Sequence, residues 1–268
     1  MGGQEIGKRA PNLIWYWGRF SGEDAVKRVL ALFLVLIFLG GVALTSWPVL
    51  YLPSLDFIFE APKLSRDAQI QQLQSAVVHL TVLARPEDPA RYPPLIQRRG
   101  TGFNVDPAGI IITNYHVVRD AARIVVTFPD GGIYNADHWS GKQEWDLAVL
   151  ELAGAPQQLP FTSLGDSSQS TAGEPITIIG NPLGLENILI RGTLGPTLSL
   201  PECETPVLQL DALIHPGNSG SPVIDRSNRV IGVVFGTFKS GDETRGLALP
   251  ANQVREYLDS EFYLSQPD

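Results

Sequence analysis

From Ala76 to Pro250 the chain is a succession of short apolar runs broken by turn residues, and this rhythm limits its architecture more than any other feature. AVVHLTVL alternates, with Val78, Leu80 and Val82 on one face and Val77, His79, Thr81 and Leu83 on the other. Residues 84–99 carry four prolines and read as loop. GFNV, GIII, RIVVTF, IYNADHW and DLAVLEL follow. After a Gly/Pro-bearing linker at 153–160 come PITIIG, NILIRGTL, PVLQL, SPVID, RVIGVVF and GLALP. A helical turn at Ala68–Gln74 and a helix opening at Pro250-Ala251-Asn252, with Val254, Tyr257 and Leu258 on one face, complete the reading. No helix of three or more turns separates consecutive strands, which argues against a doubly wound α/β fold. Two groups of about six strands, roughly residues 76–152 and 161–250, predict an all-β chain of two antiparallel barrels or sandwiches.

Charge divides the chain differently. The formal net charge is −8, which argues against nucleic acid as a partner, since that needs a concentrated basic surface. Residues 1–28 carry net +2, residues 29–52 carry no charge, and residues 53–268 carry net −10. The 24 uncharged residues would span about 36 Å as a helix, enough for a bilayer core. Lys27 and Arg28 precede the run, Asp56 and Glu60 follow it, and Trp47 and Tyr51 suit an interfacial belt. The expectation is a signal anchor: residues 1–28 cytoplasmic, 29–52 in the lipid bilayer, 53–67 a tether, and the rest extracytoplasmic (periplasmic in a bacterium). A cleaved signal peptide fits less well, because the leader is long and no A-x-A site follows. A buried core helix of that length lacks the usual polar face. The one cysteine, Cys203, precludes an intrachain disulfide and a cysteine-built metal site.

Three stretches carry candidate chemistry: Thr113-Asn114-Tyr115-His116-Val117-Val118, Asp146-Leu147-Ala148-Val149-Leu150 and Gly217-Asn218-Ser219-Gly220-Ser221-Pro222. A serine between glycines, just before a strand, sits in a turn whose backbone can adopt φ > 0 and point N–H groups together. Two such N–H groups beside a hydroxyl form what a tetrahedral oxyanion needs. Serine is a weak nucleophile that needs a base, and a histidine base needs a third group to fix its tautomer. His116 and Asp146 supply them. Asp146, opening an apolar strand, is expected to be partly buried and therefore partnered. His79 is read as a strand-face residue without a role.

TNYHVV, then DLAVL, then GNSGSP, together with LGDSS at 164–168, GEPITIIGNPLGLE at 173–186, QLDALIHPGNSG at 209–220 and RGLALP at 245–250, resembles the HtrA/Deg family of trypsin-like serine proteases over residues 68–260. The resemblance implies a chymotrypsin-like double β-barrel acting on unfolded or extended polypeptides of the exported compartment. It implies Ser219 as nucleophile, His116 as general base, Asp146 as its orienting carboxylate, and an oxyanion hole from the N–H groups of Gly217 and Ser219. It also implies homotrimers, and a primary pocket of Leu213 and Ile214 facing Val234 and Phe235. With no carboxylate in those stretches, cleavage is expected after small and medium aliphatic residues. No cofactor or metal is called for.

The chain departs from the family in places. Ser221 stands where glycine is usual, and His215 stands where asparagine is more frequent and is expected to be a surface turn histidine. With residues 261–268 as a short tail, no PDZ domain is expected after the barrels. Other hydrolytic schemes fail: G-x-S-x-G is not completed, no histidine follows residue 215, and H-E-x-x-H is absent. Gly180-Asn181-Pro182-Leu183-Gly184 lacks the Lys-Ser/Thr of a phosphate loop. A proteolytically silent, membrane-tethered holdase is the remaining alternative.

Overall fold

A computed structural model describes residues 68–86, 94–156, 158–185, 187–201, 203–240 and 243–263. The expected leader, membrane span and tether (residues 1–67), and the tail from residue 264, lie outside them. Twelve strands form two closed six-stranded antiparallel barrels, in the orders β1-β2-β3-β6-β5-β4 and β10-β11-β12-β9-β8-β7. The first comprises β1 (Val77–Ala84), β2 (Ile96–Asp106), β3 (Ile110–Thr113), β4 (Ala121–Thr127), β5 (Ile133–Lys142) and β6 (Leu147–Leu152). The second comprises β7 (Pro175–Gly180), β8 (Ile188–Leu198), β9 (Val207–Asp211), β10 (Pro222–Ile224), β11 (Val230–Ser240) and β12 (Glu243–Pro250). Closure removes free sheet edges, the physical reason that so many short strands can coexist.

The alternation read in β1 is the one the barrel uses. Val78, Leu80 and Val82 point into the first core with Ile111, Ile124, Val126 and Leu150, all essentially solvent-free. His79, Thr81 and Leu83 are half-buried on the other face. Ile178, Leu210, Val223, Ile231 and Val234 fill the second barrel. A third cluster occupies the seam, where Phe103, Ile112, Leu147 and Val149 meet Ile179, Leu189, Val233 and Leu249. Short helices close its flank: Ile70 and Leu73 come from α1 (Ala68–Ala76), and Val254 and Tyr257 from α3 (Ala251–Tyr257). Each buried aliphatic side chain contributes about 1.5–3 kcal/mol, so the seam is a principal stabilising layer.

Two local expectations are corrected. The loop placed at 84–99 is shorter, because Ile96–Arg99 pairs with Leu83, Ala84 and their neighbours as the start of β2, and Ala84 itself ends β1. Ladder hydrogen bonds outweigh the prolines, all of which precede Leu95. Asp146 does not open β6. It ends a 3₁₀ turn (Gln143–Trp145) in the left-handed conformation, φ 48° and ψ 38°, immediately before the strand.

LGDSS proves to be a structural joint. Asp166 accepts from the Ser168 N–H and hydroxyl and from Asn252 Nδ2 at 2.8 Å, tying the turn at Ser167–Gln169 to α3. These donors, Asn252 first, hold its carboxyl down at about 2.

Candidate active site

His116 lies in α2 (Tyr115–Val118), a single turn that follows β3. Its ring Nδ1 is 2.6 Å from Asp146 Oδ2, and its backbone N–H donates to Asp146 Oδ1 at 2.9 Å. The grip is reciprocal, since the Asp146 carbonyl accepts from the Tyr115 N–H at 3.1 Å and from Asn114 Nδ2 at 3.0 Å. The left-handed backbone of Asp146 makes this possible: it turns the side chain and the carbonyl toward the same helical turn, and aspartate tolerates that region better than most residues. An ionised carboxylate only accepts hydrogen bonds, so Nδ1 carries the proton and Nε2 presents a lone pair. Nε2 has no partner among the described residues.

On the opposite side of α2, the Arg98 guanidinium donates to the Arg119 carbonyl at 2.8 Å and approaches the His116 carbonyl at 3.5 Å. It satisfies carbonyls that a four-residue helix leaves open.

Ser219 lies between β9 and β10, on the second barrel. His215-Pro216-Gly217-Asn218 is a tight turn closed by the Asn218 N–H to the His215 carbonyl at 3.0 Å, with Gly217 at φ 99°. Proline second and a positive-φ glycine third is the signature of a type II turn. The Gly217 and Ser219 carbonyls both turn inward, to Thr101 of the first barrel: its hydroxyl donates to Gly217 at 2.7 Å and its N–H to Ser219 at 2.9 Å. The N–H groups of Gly217 and Ser219 are spent on no partner among the described residues.

The two barrels bring these elements together over Gly100. A Cβ there would lie 2.8 Å from Val117 Cγ1 and 3.5 Å from the Ser219 carbonyl, so only glycine lets α2 and the serine turn share that spot.

The four residues expected to frame a pocket separate into different environments. Leu213 is 43% exposed, and Ile214 packs at the margin of the second core against Gly246. Val234 is fully buried inside the second barrel and faces no pocket, which corrects its assignment. Phe235 is half-buried, turns to the seam, and lines a cavity of about 220 Å³ with Trp145, Asp146, Cys203 and Leu249. His215 is also corrected: it is 8% exposed, and burial pushes its pKa below the ordinary imidazole value. Thr101, Arg98 and Asn181 were not singled out from sequence. Their importance arises from contacts across 18 to 116 residues.

The model of the trypsin-like peptidase domain family matches residues 100–233, half of the chain. Curated relatives include a serine protease of Synechocystis sp., HhoA, 33% identical over 215 residues, covering 70% of this chain and 54% of that protein. The mitochondrial serine protease HTRA2 of Bos taurus is 32% identical over 195 residues, covering 70% of this chain and 41% of that protein. The chain thus spans about half the length of the relatives it matches. Among solved structures, an AlgW variant described as an HtrA-type protease with a decapeptide superposes with a TM-score of 0.63 at 26% identity, covering 74% of this chain and 67% of that one. With two six-stranded barrels and the matched stretch running from Gly100 through Ser219, the chain belongs to the trypsin-like peptidase domain family.

Proposed function

We propose that the protein is a serine endopeptidase that cleaves unfolded or extended polypeptide segments through an acyl-enzyme. The observation that carries this is the double hold of Asp146 on His116, which leaves Nε2 unengaged as a base, on a helical turn that meets the Ser219 turn over Gly100. In this reading Ser219 Oγ attacks the substrate carbonyl carbon and passes its proton to His116 Nε2. The oxyanion that forms accepts from the Gly217 and Ser219 N–H groups. The tetrahedral centre collapses, the C–N bond breaks, and the leaving amine takes the proton from His116. A water, deprotonated by the same ring, then attacks the ester, restoring the Ser219 hydroxyl and releasing the carboxylate product.

The charge-free run at 29–52 supports a further element of the proposal: a bilayer tether that places the barrels outside the cytoplasm. A peptide-bound relative supports polypeptide as the substrate class.

Digestion of casein by the full-length chain in detergent tests the reading. Wild type is expected to degrade it, and Ser219→Ala and His116→Ala to lose that activity while keeping their folded spectra. A wild-type protein that cleaves nothing yet suppresses aggregation of an unfolded client would replace the protease with the holdase.

A further inference from the structure

We propose that Thr101 is a positioning residue for the oxyanion-binding turn, resting on the reading of Ser219 as nucleophile. Thr101 lies in β2 of the first barrel, whereas the turn belongs to the second. The residue is fully buried and all of its polar groups are engaged. Its N–H donates to the Ser219 carbonyl at 2.9 Å, and its hydroxyl donates to the Gly217 carbonyl at 2.7 Å. The same oxygen accepts from the Asn181 N–H at 3.0 Å, and the Thr101 carbonyl accepts from the Thr113 hydroxyl at 2.7 Å.

These bonds fall on both residues whose N–H groups form the candidate oxyanion hole. A hydroxyl has one proton, and here Asn181 occupies a lone pair of the Thr101 oxygen, so the proton is directed to Gly217. With both carbonyls drawn into the barrel seam, the turn keeps its free N–H groups for the substrate side. Glycine at 220 is part of the same fit: at φ 84°, an added Cβ would collide with the Thr101 carbonyl and approach the Thr113 hydroxyl at 2.5 Å. Oxyanion stabilisation depends on donors fixed before the charge forms, so loosening this anchor raises the barrier while leaving substrate binding nearly intact.

Peptide hydrolysis by full-length Thr101→Val, which preserves shape but removes the hydroxyl, tests the proposal beside Thr101→Ser, which keeps the hydroxyl. The expected result is a kcat drop of at least about 30-fold in Thr101→Val with KM within about 3-fold. Thr101→Ser should recover kcat to within about 3-fold of wild type, and the pH profile of the surviving rate should keep its midpoint, because His116 and Asp146 are untouched. If Thr101→Val does not fold, Thr101→Cys, similar in volume but a weak donor, takes its place and should lose at least about 10-fold in kcat. Wild-type kcat in the folded donor-less variant overturns the proposal. So does an equal loss in Thr101→Ser, which would make the methyl, and not the hydroxyl, the determinant. A wild-type protein with no hydrolytic activity instead fails the nucleophile assignment, and the role of Thr101 falls with it.

Discussion

Asp146 holds His116 by the ring and by the backbone at once, Oδ2 at 2.6 Å from Nδ1 and Oδ1 at 2.9 Å from the main-chain nitrogen. One carboxylate therefore sets both the tautomer of the imidazole and the start of the turn that carries it. Asp146→Asn keeps the shape but can offer an N–H to Nδ1, which favours the wrong tautomer. The expected loss in kcat is roughly 10⁴-fold, with little change in folding. Steady-state hydrolysis beside thermal unfolding checks it.

The general-base role fixes the direction of the pH dependence. Only the neutral ring can accept the Ser219 proton, so kcat/KM should rise with pH through a single ionisation and then level. A rate that falls steadily from about pH 5 to about pH 8 in folded protein would point to carboxylate chemistry.

His215 makes a separate prediction about stability. Burial lowers its folded-state pKa below 6.5, so the unfolded chain binds the proton more readily than the folded one. Its contribution is fully present above about pH 6.5 and is lost as pH falls below that value toward the folded pKa. Between about pH 7.5 and about pH 5.5, wild type should lose more thermal stability than His215→Gln. Equal losses in the two proteins would contradict the burial argument.

Gly220→Ala should be among the most damaging single substitutions in the second barrel, costing more than about 3 kcal/mol through left-handed strain plus the collision with Thr101. Gly173→Ala is the control. It shares the positive φ, 90°, but its Cβ would meet nothing within 4 Å, so its cost should stay near about 1–2 kcal/mol. Chemical denaturation of both variants measures the difference.

Cleavage should disfavour Lys and Arg before the scissile bond. Asp211, two residues before Leu213, already pairs with Arg245 at 2.9 Å, and Arg245 also holds Glu243 at 2.9 Å. A cationic side chain placed against exposed Leu213 and half-buried Ile214 would lose water to apolar contact. Mass-spectrometric mapping of cuts in a reduced, unfolded protein reads the preference directly; a majority after Lys or Arg would refute it.

The strands were legible because a half-buried strand writes its burial into period two, as Val78, Leu80 and Val82 do against His79, Thr81 and Leu83. Val234 shows where that signal fails. In VIGVVFGTF apolar residues occupy both faces, since β11 lies between the second barrel and the seam, and sequence does not say that Val233 and Phe235 turn one way and Val234 the other. The His116, Asp146 and Ser219 stretches were visible as local patterns of residue type. Their placement was less so: the left-handed Asp146 and the buried His215 depend on what packs over them. Thr101 left no local signal, because the partners of its hydroxyl are 80 and 116 residues away.

Labelling the full-length protein with a fluorophosphonate tests the central claim most directly, because only a serine activated by a neighbouring base reacts rapidly. One adduct per chain on Ser219 is expected, absent in Ser219→Ala and slowed by at least about 10³-fold in His116→Ala. Labelling that persists in Ser219→Ala, or proceeds in His116→Ala at the wild-type rate, would contradict the account.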